Sequence, residues 1–262
     1  MEKIAKLLAG FVILTVIFCG TVNAKKPDKP TSLTIFSEPN MTYALTEIAR
    51  SYANDRNVIV SINFNSSFEL IQNIDFGEPA DIFISSHPSW IENLKQKGLV
   101  DVYNLSNIAR DQLVLVTSTK NNRIPADLIK EEEPISETIR EINNNRIPLI
   151  IGSENSSLGR YTSELMKEVN VKNQYLYRKV NEDKKTIIDF LKENNEYCGI
   201  VLSSEIKNQN DIKILRVIPD IDIYYQGSVI AGDDMENARD FVKYLKSDEA
   251  RSLFSKNGFI ID

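Results

Sequence analysis

Histidine and cysteine are scarce in this chain of 262 residues. His87 is the one histidine, and Cys19 and Cys198 are the two cysteines. So few of either cannot form a zinc site of the cysteine–histidine type. The chain also has no P-loop, no G-x-G-x-x-G and no G-x-S-x-G. Nucleotide binding and hydrolase chemistry therefore have no motif to support them, and we interpret His87 as a loop or capping residue.

Basic residues are not in excess, because 31 Lys and Arg face 37 Asp and Glu, for a formal net charge of −6. This balance argues against a nucleic-acid partner, which would need a basic stripe. The acidic residues are scattered, and no catalytic carboxylate pair stands out, so we predict that the protein is not an enzyme. A hydrophobic share of 42% is that of a globular chain, and its length is enough for two lobes with buried cores.

The one long apolar run is at the N-terminus. Lys3 and Lys6 precede the stretch 7–18, and Val-Asn-Ala at 22–24 resembles a small-residue cleavage site. This order predicts a secretory signal at 1–24, too short for an ordinary membrane span. The mature protein is then expected in the periplasm.

Cys19 lies inside the predicted signal and raises the alternative of a lipid anchor. Bulky Phe18 directly before it fits lipidation poorly, so we favour cleavage after Ala24. The mature chain would keep Cys198 alone, which excludes an internal disulfide. Since Cys198 opens the apolar run "CGIVLSS", we expect it to be a buried filler.

Short apolar runs alternate with longer segments of helical period. "LTIF", "VIVSINF" and "DIFIS" are predicted strands separated by helices, and "QLVLVTS", "IPLIIG" and "CGIVLSS" begin and continue a second set. This βαβ rhythm predicts an α/β fold of two lobes with mainly parallel sheets and flanking helices. The predicted parts are a signal peptide at 1–24, a linker at 25–31, lobe I at 32–111 plus 228–262, and lobe II at 112–227.

Four polar turns lie between a predicted strand and a predicted helix. They are "SEPNMT" at 37–42, "NSSF" at 65–68, "SENSSLGR" at 153–160 and "NEDKKT" at 181–186. Each turn offers free backbone N–H groups at a helix start, where the helix dipole favours negative charge. One such turn alone is a cap, but four that converge between two lobes would surround an anion with neutral donors.

The order of several motifs adds a family resemblance. "LTIFSEPNMTYALTEIARSY", "VSINFNSSFELIQNI", "GEPADIFISSHPSWIENLKQKGLV" and "FVKYLKSDEARSLFSKNGF" resemble the periplasmic molybdate-binding proteins of ABC importers, from about Leu33 to Phe259. The resemblance implies a type II periplasmic binding fold and a tetrahedral oxyanion, molybdate or tungstate, held in the cleft. It also implies an ABC permease as partner and no cofactor, and we expect a monomer.

The resemblance carries the ligand site onto five positions. Asn40 and Ser67 take the places of two family serines, and Ser67 keeps the hydroxyl. Leu158 and Lys184 fall where the family offers main-chain N–H groups. Leu202 replaces a tyrosine whose hydroxyl reaches the anion. The loss of that donor is expected to cost about 1.5–3 kcal/mol, or roughly ten- to a hundred-fold in affinity.

Three alternatives remain open from the sequence. Asn40 and Leu202 motivate a binding protein for another small anion or a polar solute. A secreted hydrolase would use Ser67 or Ser86 with His87. A sensory or adaptor lobe would contact a membrane partner without binding a ligand.

Overall fold

Two five-stranded sheets with packed helices make up the described part of the chain. The computed structural model describes residues 31–54, 56–125, 127–169, 177–180, 186–232 and 235–261. The predicted signal peptide, with Cys19, nearly all of the predicted linker, and Lys184 lie outside the described residues. Among the described residues, no helix combines the length and the apolar character needed to cross a bilayer.

The strands and helices follow one another in the alternation that the sequence predicts. The strands are β1 (Thr31–Ser37), β2 (Val58–Phe64), β3 (Ile82–Ser85), β4 (Ser106–Asp111), β5 (Leu113–Ser118), β6 (Leu149–Gly152), β7 (Tyr177–Val180), β8 (Cys198–Leu202), β9 (Ile212–Val217) and β10 (Ile223–Val229). The helices are α1 (Thr42–Asn54), α2 (Ser67–Asp75), α3 (Pro88–Gln96), α4 (Ile135–Asn144), α5 (Ser157–Val169), α6 (Ile187–Glu193), α7 (Glu236–Tyr244) and α8 (Asp248–Lys256).

Each sheet is the centre of one lobe. The strand order is β2-β1-β3-β10-β4 in lobe I and β7-β6-β8-β5-β9 in lobe II. The two-lobed α/β prediction is confirmed, but the sheets are mixed rather than mainly parallel. β1 runs parallel to β2 and β3, whereas β10 runs antiparallel to β3 and β4. Lobe II repeats this, with β5 antiparallel to β8 and β9, because β10 and β5 are strands that the chain enters from the other lobe.

The predicted lobe boundary at 227/228 needs correction. β9 ends lobe II at Val217, and β10 begins in the sheet of lobe I at Ile223, where Tyr224 pairs with Arg110 of β4. The predicted boundary falls inside β10 and would cut a continuous strand. The chain therefore returns to lobe I between Val217 and Ile223.

Helix α1 illustrates how the helical period forms the core. Leu45, Ile48, Ala49 and Tyr52 are spaced by three and four residues, and all are buried, as the sequence predicts. In lobe II, Cys198 is buried and free at the start of β8, as expected of a filler.

Candidate functional site

A cavity of about 70 Å³ lies between the lobes, beside the ends of β1 and β8. This volume holds several water molecules, so it suits a small solute. Residues of both lobes line it, including Glu38, Asn40, Ser67, Ser157, Leu158, Leu202 and Glu205. A cleft at strand ends between two lobes is the usual place for a ligand in α/β proteins.

The adjacent hydroxyls of Ser66 and Ser67 have different partners because α2 begins between them. Ser66 is the N-cap, and its Oγ accepts a hydrogen bond from the backbone N–H of Glu69 at 3.3 Å. Ser67 is the first helical residue, fully buried, and its Oγ donates to Oε1 of Glu38 at 2.6 Å. The first serine therefore stabilises the helix, and the second faces the cleft.

The Glu38 carboxylate is the centre of a cluster of hydroxyls. Glu38 directly follows β1 and is only 5% exposed. Its Oε1 accepts from the hydroxyls of Ser67, Ser85 (2.8 Å) and Ser157, and its Oε2 accepts from the hydroxyl of Ser86 (2.8 Å). The backbone N–H of Ser86 donates to Oε1 at 3.3 Å. We call the four serines around Glu38 the serine cluster. Ser67, Ser85 and Ser86 belong to lobe I, and Ser157 belongs to lobe II.

The start of α5 is shaped to bring Ser157 into the cleft. The Oγ of Ser156 accepts from the backbone N–H of Gly159 at 3.0 Å and so caps the helix. A Cβ at Gly159 would lie 1.7 Å from the carbonyl oxygen of Ser153. Only glycine therefore lets the β6–α5 loop fold back this closely over the first turn.

Four of the five predicted site residues lie at this cavity, namely Asn40, Ser67, Leu158 and Leu202. The fifth, Lys184, lies outside the described residues. Residues of the turns at 37–42, 65–68 and 153–160 line this cavity, whereas 181–185 of the fourth turn lie outside the described residues. The binding role of each residue stays a prediction.

Two residues that sequence reasoning missed hold the predicted ones in place. Tyr225, buried in β10, accepts a hydrogen bond at its hydroxyl from the side-chain amide of Asn40. Burial raises the pKa of Tyr225 well above its ordinary value, so the phenol stays protonated. Glu205 accepts from the backbone N–H of Leu202 at 2.9 Å. That N–H is thus already used inside the protein.

Glu38 and Glu205 make the cleft acidic. Burial, with the nearby charges of Asp111 and Glu38, raises the pKa of Glu205 to about 7. None of the described residues that line the cavity is a lysine or an arginine. In the sequence, the one local indication that Glu38 belongs to the cleft is its position directly after β1. From the sequence, that turn is predicted only as a source of backbone N–H donors.

The pairing required by the hydrolase alternative is not made. His87 caps α3, as predicted, with its Nδ1 accepting from the backbone N–H of Ser89, and its Nε2 lies 3.4 Å from Oε1 of Glu164. Burial lowers the pKa of His87, which keeps the imidazole neutral. The hydroxyls of Ser67 and Ser86 donate to Glu38 instead. Among the described residues, no group of three or more His, Cys, Asp and Glu side chains could hold a metal ion.

Helix α5 of lobe II contacts lobe I beside the cleft. The guanidinium of Arg160 lies 3.4 Å from the ring centroid of Trp90, and its Nη1 donates to Oγ of Ser89 at 2.6 Å. The hydroxyl of Tyr161 donates to the carbonyl of Ser86 at 2.8 Å. These contacts hold the lobes together over the serine cluster.

Comparisons with known proteins agree with this architecture. The chain is 27% identical to the molybdate-binding protein ModA of Haemophilus influenzae over 266 residues, which cover 99% of each chain. The structure of the tungstate ABC transporter from Geobacter sulfurreducens matches with a TM-score of 0.71 and 14% identity, covering 86% of this chain and 98% of that one. The substrate-binding domain of a molybdenum ABC transporter from Clostridium difficile matches with a TM-score of 0.66 and 22% identity, over 88% and 100% of the two chains.

The family comparison covers nearly all of the predicted mature chain. Residues 33–260 match the family described as bacterial extracellular solute-binding protein. This range includes both lobes and every described residue of the serine cluster. The chain therefore belongs to the family of bacterial extracellular solute-binding proteins.

Proposed function

We propose that this protein is the solute-binding component of an ABC importer, exported to the periplasm by the signal at 1–24. It holds a small tetrahedral oxyanion between its lobes and delivers it to a permease in the membrane. It acts as a monomer without a cofactor. The observation that carries this proposal is the convergence of hydroxyls from both lobes on one buried negatively charged group.

The serine cluster has the chemistry that an oxyanion site needs. Hydroxyl donors are neutral, so they stabilise a buried anion without introducing a counter-charge, and hydrogen bonds to an anion are stronger than those between neutral groups. The Glu38 carboxylate supports this proposal, because its oxygens accept four hydroxyl hydrogens and one N–H, which shows that these groups can converge as donors on one carboxylate.

Molybdate and tungstate are the first ligands to test, because the names of the similar proteins include them. Leu202 offers no hydroxyl, and Asn40 donates one of its two amide hydrogens to the hydroxyl of Tyr225. We therefore expect weaker binding than a site with a full set of hydroxyl donors would give.

Calorimetric titration of the mature protein with molybdate, tungstate, sulfate and phosphate tests the proposal. At least one of the four is expected to bind with a stoichiometry of one and to raise the melting temperature, since a ligand that binds only the native state stabilises it. A mature protein that is folded by circular dichroism yet responds to none of them would contradict the oxyanion proposal.

A further inference from the structure

In the described structure, the four hydroxyl hydrogens of the serine cluster are all donated to the carboxylate of Glu38. A serine hydroxyl has one hydrogen to donate. Those of Ser67, Ser85 and Ser157 point to Oε1 of Glu38, and that of Ser86 points to Oε2. While these bonds are made, the serine hydroxyls can offer only their oxygen lone pairs to the cavity. A solute therefore meets hydrogen-bond acceptors at the serine cluster.

Two other described lining groups, the carboxyl of Glu205 and the backbone N–H of Leu202, do not offset this acceptor character. Above about pH 7, where its carboxyl group is ionised, Glu205 adds a second carboxylate to the same cavity, and the N–H of Leu202 is bonded to it. No lysine or arginine among the described lining residues offsets the two acids. An anion that enters therefore lies beside a carboxylate that has nothing but hydrogen-bond acceptors to offer.

We propose that Glu38 is a specificity-determining residue, which makes the cleft select tetrahedral oxyanions that carry a hydrogen, such as hydrogen phosphate, over fully deprotonated ones such as sulfate and molybdate. This inference rests on the proposed function and names the ligand class of the same site.

The mechanism of selection follows from the donors and acceptors. Hydroxyl groups rotate, so Ser67 and Ser157 can turn their hydrogens from Glu38 to the oxygens of a bound anion. The O–H of hydrogen phosphate then donates to the Glu38 carboxylate, which keeps the N–H and hydroxyl of Ser86. With sulfate, an anionic oxygen would face the carboxylate oxygen with no hydrogen between them, which is repulsive.

Hydrogen phosphate and sulfate are a matched pair of ligands. Slightly above neutral pH both are tetrahedral dianions of similar size, and only hydrogen phosphate carries a hydrogen. Calorimetry on the mature wild-type protein is expected to give phosphate an affinity at least about tenfold higher than sulfate or molybdate, as one charge-assisted hydrogen bond would provide.

Replacement of Glu38 by glutamine tests the residue itself. Glu38→Gln keeps the shape and removes the charge, and its amide can donate as well as accept. The phosphate-to-sulfate ratio is expected to fall toward one, mainly through a gain in sulfate and molybdate affinity. Glu78→Gln makes the same change at an exposed position between α2 and β3 and is expected to leave the ratio unchanged.

Several results would overturn the inference. Wild-type protein that binds sulfate or molybdate as tightly as phosphate contradicts it and leaves the proposed function intact. The same holds if Glu38→Gln weakens all anions equally, as a purely structural residue would. If this variant does not fold, the wild-type ranking decides alone. If no oxyanion binds to wild-type protein, the proposed function itself fails.

Discussion

Ser66 and Ser67 are neighbours in the chain, yet the first has a structural role and the second a proposed binding role. Ser66 has extended backbone angles and caps α2, whereas Ser67 is helical and projects into the cleft. The same division recurs at α5, where Ser156 caps and Ser157 reaches Glu38. A pair of serines at a strand-to-helix turn therefore supplies one cap and one inward hydroxyl.

Loss of the Ser67 hydroxyl is expected to weaken anion binding. Ser67→Ala removes one donor to a charged ligand, which corresponds to roughly ten- to a hundred-fold in the dissociation constant measured by calorimetry. Ser247→Ala removes the cap of α8, away from the cleft, and serves as the control. It is expected to lower stability by about 1 kcal/mol without a change in affinity. Equal affinities for wild type and Ser67→Ala would rule out a binding role for this hydroxyl.

Glu205 is expected to make stability depend on pH. Its pKa is about 7 in the folded protein against an ordinary value of 4.5, so the native state holds a proton that the unfolded chain releases. The stabilisation is complete below the unfolded value and is lost as the pH rises through about 7, by up to about 3 kcal/mol.

Urea unfolding of wild type and Glu205→Gln, at pH values of about 5 and 8, measures this effect. The glutamine keeps an acceptor for the N–H of Leu202 and cannot ionise. The free energy of unfolding of wild type relative to the variant is expected to fall as the pH rises. The opposite contribution of His87, whose lowered pKa costs stability at acidic pH, is common to both proteins and cancels. A difference that does not vary with pH would contradict the assignment.

At the scale of elements, the β6–α5 connection places lobe II against the serine cluster. Its tight approach depends on Gly159, where a Cβ would collide with the carbonyl of Ser153. Ser157 lies two residues away in the same helical turn. The position of this turn therefore links the packing of one loop to the geometry of the cleft.

Gly159→Ala is expected to reduce both stability and anion affinity. The added methyl group must push the loop away, which costs about 1–3 kcal/mol, and Ser157 moves with the turn. Gly232→Ala is the control, because a Cβ there has nothing within 4 Å. Thermal melts and calorimetry of both variants measure the two effects. A Gly159→Ala protein with wild-type melting temperature and affinity would show that the loop accommodates the methyl group freely.

At the scale of the whole molecule, residues of α5 in lobe II make the contacts with lobe I beside the cleft. Arg160 stacks on Trp90, and Tyr161 donates to the carbonyl of Ser86, which belongs to the serine cluster. The hydrogen bonds around Glu38 and the contacts between the two lobes therefore share Ser86 and adjoin one another. This contiguity is a physical route by which a bound anion could favour the closed arrangement.

Arg160→Ala is expected to loosen this closure. Trp90 is the sole tryptophan, so its fluorescence reports on the contact, and its emission should shift to the red when the guanidinium no longer covers the ring. A cation–π contact of about 0.5–2 kcal/mol predicts an affinity loss of roughly two- to thirtyfold.

Arg56→Ala is the matched control, because Arg56 stacks on Tyr52 within lobe I, 4.2 Å from the ring centroid. It is expected to change neither the emission of Trp90 nor the anion affinity. Unchanged emission and affinity in Arg160→Ala as well would show that the stacking does not contribute to closure.

Hydrophobic periodicity in the sequence was enough to predict the two α/β lobes, the inward face of α1 and the burial of Cys198. These features depend on local spacing and on the exclusion of apolar groups from water. The family resemblance predicted Asn40, Ser67, Leu158 and Leu202 as site residues, and all four line the cavity.

Tertiary structure alone decided which groups meet in the cleft. The carboxylate of Glu38 is joined to Ser157 across 119 positions of the chain, and Tyr225 reaches Asn40 across 185. Strand β10 belongs to lobe I from Ile223 onward because it pairs with β4, which lies more than 100 positions earlier in the chain. Local patterns carry no information on such distances, since they arise only when the chain crosses twice between the sheets. Local hydrophobic spacing in the sequence determined the two lobes, whereas only contacts between distant segments decided that Glu38 meets hydroxyls of both lobes in the cleft.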